Sequence, residues 1–293
     1  MDYDVVLCSY NGELYIEEQI KSILCQTIKP KNIIVSDDGS TDRTLSIVNE
    51  IINKYIDCNV NISLLEGPKE GLINNFFNVL RFTSSKFVFF SDQDDIWVND
   101  KVSIYFNELI NNREWVNKPL LLFSDAYLLI NDKVSKKTFF ETESLTSDVM
   151  LDHSIYYKNC VQGASMMVNR ELIQLCLESL KYTDRSKILM HDWWFALLTN
   201  SYGHYLFINK PLIFYRQHDG NTIGTKSRFR RYLNYILNVK VYINTTKRMI
   251  EQKDAFVKTC TSLNMEVIKK PKRTYNSVGI LKKLCIFFCK MKY

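Results

Sequence analysis

The chain has 293 residues, 46% of them hydrophobic, and a formal net charge of +6. That excludes a disordered polypeptide and allows one large α/β core with a tail. The charge is unevenly divided: Lys226 to Tyr293 holds 17 Lys and Arg against 3 Asp and Glu, a balance of +14 that leaves −8 for residues 1–225. No window reaches the roughly 18 apolar residues needed to cross a bilayer, the longest C-terminal run being Leu284 to Cys289.

Asp4 to Cys8 (DVVLC) reads as a first strand, followed by the loop SYNGE and a helix through Ile16, Ile20, Ile23 and Leu24 that ends at Thr27 to Pro30. Asn32 to Ser36 (NIIVS) is a second strand. The DDGSTDRT loop after it leads to Leu45, Val48, Ile51 and Ile52 at helical spacing. Gly39 suits a tight turn there, and Ser40 or Thr41 is expected to cap the helix with Asp42 in its first turn. Capping alone would account for that loop; a ligand-binding role is the alternative. Asn61 to Leu65 reads as a third strand, before a loop with Gly67, Pro68 and Gly71 and a helix carrying Phe76, Phe77, Leu80 and Phe82. A fourth, Val88 to Phe90 within FVFFSDQDDIW, is continuously apolar, as in parallel strands covered on both faces. The alternation predicts an α/β fold with a mostly parallel sheet, right-handed crossovers and polar loops along one edge.

The fourth strand stops at Asp92, Gln93, Asp94 and Asp95. Three carboxylates in four positions repel unless a cation or hydrogen-bond donors hold them, and the C-terminal edge of such a sheet is where ligands bind. Mg²⁺ or Mn²⁺, held by one or two carboxylates plus substrate phosphates, is the simplest counter-charge. A D-x-D in this place therefore implies a phosphate-bearing partner. A solvated acidic turn is the plain alternative for so short a motif.

Six segments in order, SYNGELYIEEQIKSILCQT, IIVSDDGSTDRT, FSDQDDIW, QGASMMVNRELI, HDWW and YRQHDGN, resemble family 2 glycosyltransferases of the GT-A fold, over roughly Met1 to Gly224. The DQDDIW form with HDWW and YRQH downstream resembles the bacterial rhamnosyltransferase-like branch acting on O-antigen and capsule polysaccharides. The resemblance implies an inverting, metal-dependent transfer of a sugar, with rhamnose a candidate. The donor would be a dTDP- or UDP-sugar, and the acceptor a glycan or lipid-linked oligosaccharide. It also implies a Rossmann-like sheet flanked by helices in a catalytic domain over 1–224. In it, about 1–100 would form the nucleotide-sugar half and about 101–224 the acceptor half, with 225–293 a basic helical extension.

Carried over position by position, the resemblance puts Ser9, Tyr10 and Asn11 among the nucleotide-sugar-binding residues, with Tyr10 at the nucleobase pocket. Asp38 becomes the carboxylate that accepts from a base N–H, chemistry suited to a pyrimidine imide. Asn75 is a donor-side position or simply a helix-start residue. Asp92 falls near the donor ribose, with Gln93 a neutral spacer on the donor side, Asp94 on the metal and Asp95 supporting it. His218 matches a late histidine that reaches back to the metal or diphosphate, and Arg216 a position near the phosphates. Asp192 matches the catalytic base, which an inverting displacement needs to deprotonate the acceptor hydroxyl; the family's usual acidic pair is here His191 and Asp192. Gly163, His191, Trp193 and Trp194 would lie on the acceptor side. The two indoles would either frame a sugar ring or anchor the core.

After Gly224 the pattern is helical. Phe229, Leu233, Ile236 and Leu237 share a face amid Arg228, Arg230, Arg231 and Lys240. This basic amphipathic helix would bind anionic lipid or pack on the catalytic domain. Tyr232, Tyr235 and Tyr242 sit in no nucleic-acid-binding module, so nucleic acid is not expected. The eight cysteines (8, 25, 58, 160, 176, 260, 285 and 289) lack disulfide or zinc spacing and no signal peptide precedes them. They read as reduced core thiols of a cytoplasmic protein, peripheral on the inner face of the plasma membrane. Two other classes fit less well. A phosphotransferase of the haloacid-dehalogenase type requires Thr or Val two positions after its second Asp, where Ile96 follows Asp94. A catalytically inactive nucleotide-sugar-binding or membrane scaffold would be expected to have lost Asp92, Asp94 and Asp192.

Overall fold

The structure, a computed structural model, describes residues 1–218 and 239–265 and the single positions 278, 283 and 286. The expected lipid-binding face at Phe229, Leu233, Ile236 and Leu237, its Arg228, Arg230 and Arg231, and the boundary at 224 all lie outside the described residues.

The first half of the chain repeats a strand-loop-helix unit: β1 (Tyr3–Ser9), α1 (Ile16–Leu24), β2 (Asn32–Asp37), α2 (Thr44–Lys54), β3 (Asn61–Glu66), α3 (Leu72–Val79) and β4 (Phe87–Ser91). The second half is more irregular: β5 (Ile96–Trp97), α4 (Lys101–Asn111), β6 (Leu120–Ile130), β7 (Lys133–Thr138), α5 (Phe139–Glu143), β8 (Met167–Asn169), α6 (Arg170–Ser179), α7 (His191–Tyr202), β9 (His204–Gln217) and α8 (Val239–Leu263). One nine-stranded sheet runs β3-β2-β1-β4-β8-β6-β9-β5, with β7 on β6. From β3 to β4 every pairing is parallel. Beyond β4 the sheet is mixed, because the short β8 runs antiparallel between β4 and β6.

The continuous hydrophobicity of β1 and β4 follows from burial on both faces. Val6, Cys8, Val88 and Phe90 join the core under α3, α6 and α7, while Val5, Leu7, Phe87 and Phe89 join the core under α1, α2 and α4. Parallel register then brings the strand ends to one edge: Ser9 lies opposite Asp37, and Leu7 opposite Ser91. Antiparallel pairing of Ile96 with Phe214 carries the end of β9, with Arg216 and His218 following, back beside the acidic loop.

Two local expectations change. Helix α2 starts at Thr44, and its preceding turn is held by Asp42, whose Oδ1 accepts from the Thr44 N–H at 2.9 Å, rather than by Ser40 or Thr41. Those two instead bond Asn11 across the loop, because Asn11 stands in a left-handed conformation (φ 48°) that turns its N–H and carboxamide toward them. Of the six described cysteines, all free, Cys8, Cys160 and Cys176 are buried but Cys25 is exposed. Helix α8 packs on the domain: Phe256 meets Trp194 edge to face at 5.3 Å, and Gln252 accepts the Leu189 N–H at 2.7 Å. No described helix is long and apolar enough to cross a membrane.

Candidate active site

The edge where β1, β2 and β4 end is knitted together by its own polar side chains. Asp37 accepts from Ser9 Oγ at 2.8 Å and from the Ser40 N–H at 2.7 Å. Asp38 accepts from the backbone N–H groups of Lys69 and Gly71, both at 2.7 Å, which ties β2 to the loop before α3. Gly71 sits at φ +88°, a conformation L side chains rarely adopt, so that its N–H faces Asp38. Gln93 clamps the Tyr10 backbone by accepting its N–H at 2.8 Å and donating to its carbonyl at 3.0 Å. A Cβ at position 12 would stand 2.2 Å from that amide, which is why Gly12 is there. The outcome is a rigid rim from which the Tyr10 ring projects, 58% exposed and free to stack.

Behind this rim lies a cleft of about 1300 Å³, larger than the roughly 300–1,000 Å³ that suits one small ligand. It has room for a donor and part of an acceptor. Ser9, Tyr10, Asp38 and Gly39 line one end, Asn75, Asp92, Gln93, Asp94 and His218 the middle, and Gln162, Gly163, His191 and Asp192 the other end. Asn75 reaches the cleft from inside α3 rather than from its start, with its carboxamide donating to the Ser36 carbonyl at 2.8 Å.

The acids are electrostatically strained. Burial, reinforced by Asp94 and Asp192, pushes Asp92 up to about 7, and burial pushes Asp95 well above the carboxylate range. His218 Nε2 lies 2.7 Å from Asp94 Oδ2, and its ring stacks on Tyr15 at 5.2 Å. Among the described residues no three His, Cys, Asp or Glu side chains form a cage for a metal by themselves. Mg²⁺-type cations are bound by one or two carboxylates completed by substrate phosphates, so Asp94 and Asp92, facing open cleft with His218 beside them, fit a cation whose shell a ligand finishes.

Asp95 and Arg216 do not face the cleft as expected. Asp95 is 1% exposed and accepts the Arg216 N–H at 3.1 Å. It does not line the cleft and supports the loop from β9's side. The Arg216 guanidinium is likewise engaged away from any phosphate, donating to the Asp94 carbonyl at 3.0 Å and pairing with Asp132 and Glu18, each at 2.6 Å. The chain folds β9 against the loop, so the last charged side chain of that strand is taken up by the loop backbone, Glu18 and Asp132. Lys101 was not singled out by sequence. It is fully buried, donates from Nζ to the Ala164 carbonyl at 3.0 Å and lies 3.7 Å over the Trp97 ring. Burial pushes its pKa well down, against the pull of Asp95 and Asp92.

At the far end, Asp192 opens α7. Its Oδ2 accepts the Gly163 N–H at 3.0 Å and its Oδ1 the Asn159 amide at 3.1 Å. Burial pushes it up to about 7, against those bonds and one from the Trp193 N–H. A carboxylate held in that range suits a general base near neutral pH. A Cβ on Gly163 would stand 2.7 Å from His191 Nε2, so only glycine lets the loop approach. His191 stacks on Phe76 at 4.0 Å, and burial pushes it down to about 3, so the imidazole is neutral.

Trp193 and Trp194 are core anchors and do not frame an acceptor. Every residue of α7 is buried, and both indole N–H groups are satisfied inside the protein, by the Ile155 carbonyl at 2.6 Å and Ser179 Oγ at 3.0 Å. Asn11 and Gln93 also spend their amides on the rim. Asn159, Gln162 and Asp37 join the site without having been singled out. Asp37, next to Asp38 at a strand end, and Gln162, at the head of QGASMMVNRELI, carried a readable signal; Asn159 did not.

The matching family description, Glycosyl transferase family 2, covers residues 4–173. A dTDP-rhamnosyl transferase RfbG of Shigella flexneri is 27% identical over 235 residues, covering 76% of this chain and 75% of its own. A GalNAc(5)-diNAcBac-PP-undecaprenol β-1,3-glucosyltransferase of Campylobacter jejuni is 27% identical over 261 residues, 88% and 79% of the two chains. Among solved structures, S. aureus TarS 1–349 in complex with UDP superposes with a TM-score of 0.58 at 17% identity, covering 86% of this chain and 81% of that one. That likeness shows the GT-A fold. With the family description spanning more than half of its length, the chain belongs to glycosyl transferase family 2.

Proposed function

We propose that the chain moves a sugar, with inversion and with a divalent cation, from a UDP- or dTDP-linked donor to a hydroxyl of a glycan or lipid-linked acceptor in bacterial surface polysaccharide synthesis. One observation carries this reading. Two acidic centres, Asp92 with Asp94 on the loop after β4 and Asp192 on α7, line the same cleft, close enough for Asp192 to raise the pKa of Asp92. Relatives named for dTDP-rhamnose and for glucose on an undecaprenyl-linked acceptor support the donor and acceptor classes, and rhamnose is the donor sugar we favour.

In this reading the nucleobase stacks on Tyr10 beside Asp38, and Asp92 and Asp94 hold the diphosphate end through Mg²⁺ or Mn²⁺. When bound, the cation supplies charge neutralisation for the departing nucleoside diphosphate. Asp192 takes the proton of the acceptor hydroxyl as it attacks the anomeric carbon from the opposite face. Gly163 and Asn159 keep that carboxylate aimed, and the neutral His191 adds no charge to compete for the proton. The basic segment after residue 225 would hold the enzyme on the inner face of the plasma membrane, where a lipid-linked acceptor is presented.

A thermal-shift screen of UDP, dTDP and their sugars, with Mn²⁺ and with EDTA, tests the reading, since a ligand of the native state alone raises Tm. A nucleotide sugar should raise Tm in Mn²⁺ and lose most of that shift in EDTA. A shift indifferent to EDTA would remove the metal from the proposal.

A further inference from the structure

Two side chains at the Asp192 end of the cleft are buried and unpaired. Gln162 is 9% exposed and His191 1%. Among the described residues neither amide atom of Gln162 and neither ring nitrogen of His191 has a hydrogen-bond partner. Both residues line the cleft. Neither is loosely placed. The Gln162 carbonyl accepts the Ser165 N–H at 3.0 Å and Ser165 Oγ at 2.9 Å, so a tight turn fixes the backbone and leaves the side chain out of the network. His191 is held by stacking on Phe76 at 4.0 Å, with Phe90 stacked at 5.9 Å on the same side.

Buried polar groups in folded proteins are almost always paired, and exceptions ask for an explanation. Here four unpaired atoms on two neighbouring side chains flank the catalytic carboxylate, since Gly163, which follows Gln162, donates to Asp192. Their chemistry is specific. A carboxamide and a neutral imidazole each offer a donor and an acceptor, which matches hydroxyl groups, whereas a phosphate would ask for donors or cations. Their location favours the donor sugar. Phe76 follows Asn75 on α3, and Phe90 precedes Ser91 and Asp92, so His191 rests on the elements that carry the donor-side groups.

We propose that Gln162 and His191 bind hydroxyl groups of the sugar being transferred, and so decide which nucleotide sugar the enzyme accepts. This rests on the function proposed above and deepens it. The pair completes its hydrogen bonds only when a pyranose ring occupies the space between Asp92 and Asp192. A donor lacking the matching hydroxyl leaves the pair unsatisfied and is disfavoured, the mechanism by which polar sites reject deoxygenated analogues.

The test compares wild type with Gln162→Met and His191→Phe, using UDP, dTDP, UDP-glucose, UDP-GlcNAc and dTDP-rhamnose in Mn²⁺, by calorimetric Kd and Tm. For the nucleotide sugar that binds best, both variants should keep the affinity for the bare nucleotide within about twofold, keep or raise Tm, and lose tenfold or more of the affinity that the sugar adds. A structural role predicts the reverse pattern: a Tm lowered by several degrees, with nucleotide and nucleotide sugar weakened together. That result overturns the proposal. So does a wild type to which the sugar adds no affinity, or variants that keep all of it. If wild type binds no nucleotide or nucleotide sugar at all, the parent reading falls and takes this one with it.

Discussion

The two ends of the cleft are built in opposite ways. At the nucleotide end nearly every polar side chain is already satisfied by the protein: Asp37 by Ser9 and Ser40, Asp38 by the Lys69 and Gly71 N–H groups, Gln93 by Tyr10 and Asn11 by Thr41. At the Asp192 end the side-chain N and O atoms of Gln162 and the ring nitrogens of His191 are buried with no hydrogen-bond partner among the described residues. A loop end must spend its hydrogen bonds on itself to be rigid, because its backbone has no ladder to lean on. The Asp192 end stands on α7 and the short turn at Gln162 to Ser165, held by their own backbone hydrogen bonds. Its polar groups can therefore remain open, at a cost of about 1–3 kcal/mol for each unpaired group.

The contrast predicts where single substitutions separate binding from chemistry. The largest effect is expected from Asp192→Asn. Transfer should fall by about 10²–10⁴, the range for a lost general base, while affinity for the donor nucleotide stays within about twofold. Equal loss of nucleotide affinity, read by calorimetry, would show that the two ends are not separate.

Asp94→Asn should also lower transfer, by about 10²–10³, but together with the Mn²⁺-dependent part of nucleotide binding. Retention of full Mn²⁺-dependent activity would remove Asp94 from the site.

Gly163→Ala comes next. Its Cβ would sit 2.7 Å from His191 Nε2 and 3.6 Å from Asp192 Oδ2, so the ring must shift and the base lose its aim. We expect kcat to fall about tenfold or more, since misplacement of about 1 Å can cost up to about 10²-fold. Tyr10 and Asp38 lie at the other end and nucleotide Kd should not change; a changed Kd would mean that the rim also depends on this loop.

Acidity sharpens the same point. Asp192 is raised from its model-compound value of 3.8 to about 7 by burial. Transfer should therefore rise as pH climbs through about 7, where the base loses its proton. Stability runs the other way. With a raised folded pKa, the protonated carboxyl favours the fold fully below about pH 4, and that contribution is lost as pH rises through about 7. Asp192→Asn should then be more stable than wild type at pH 8 and no more stable at pH 4, by up to about 4 kcal/mol. Urea midpoints at the two pH values measure this, and a constant difference would contradict burial as the cause.

The smallest effect on catalysis is expected from the basic segment after residue 225. Neutralising Arg228, Arg230 and Arg231 to Gln should weaken binding to anionic vesicles, at about 1 kcal/mol per cation, without altering transfer to a soluble acceptor analogue. Vesicle binding that is unchanged, or insensitive to salt, would count against membrane attachment. Truncation after Gly224 is a poorer test, because α8 contributes Phe256 and Met249 to the core.

Much of this was written in the sequence, for a physical reason. The first four strands were legible within one residue and the helices between them in place and order, though the third ends at Val79, short of the expected Leu80 and Phe82, because a parallel strand covered on both faces must be continuously apolar and the helices between must show a stripe. The same locality made Asp92, Asp94 and Asp38 legible, since each follows or ends a strand, whereas Asp192 was reached through the resemblance that HDWW carries. Side-chain direction was not local. Whether Arg216 meets a phosphate or braces Asp95 depends on β9 folding back against β5, a pairing between residues over a hundred positions apart. The two tryptophans could frame a sugar or fill a core, and only packing on every face of α7 decided it. Gln162 opens the QGASMMVNRELI segment, but nothing local set it apart within it: its significance is that its side chain has no partner among the described residues, which shows only once the neighbours that might have supplied one are in place.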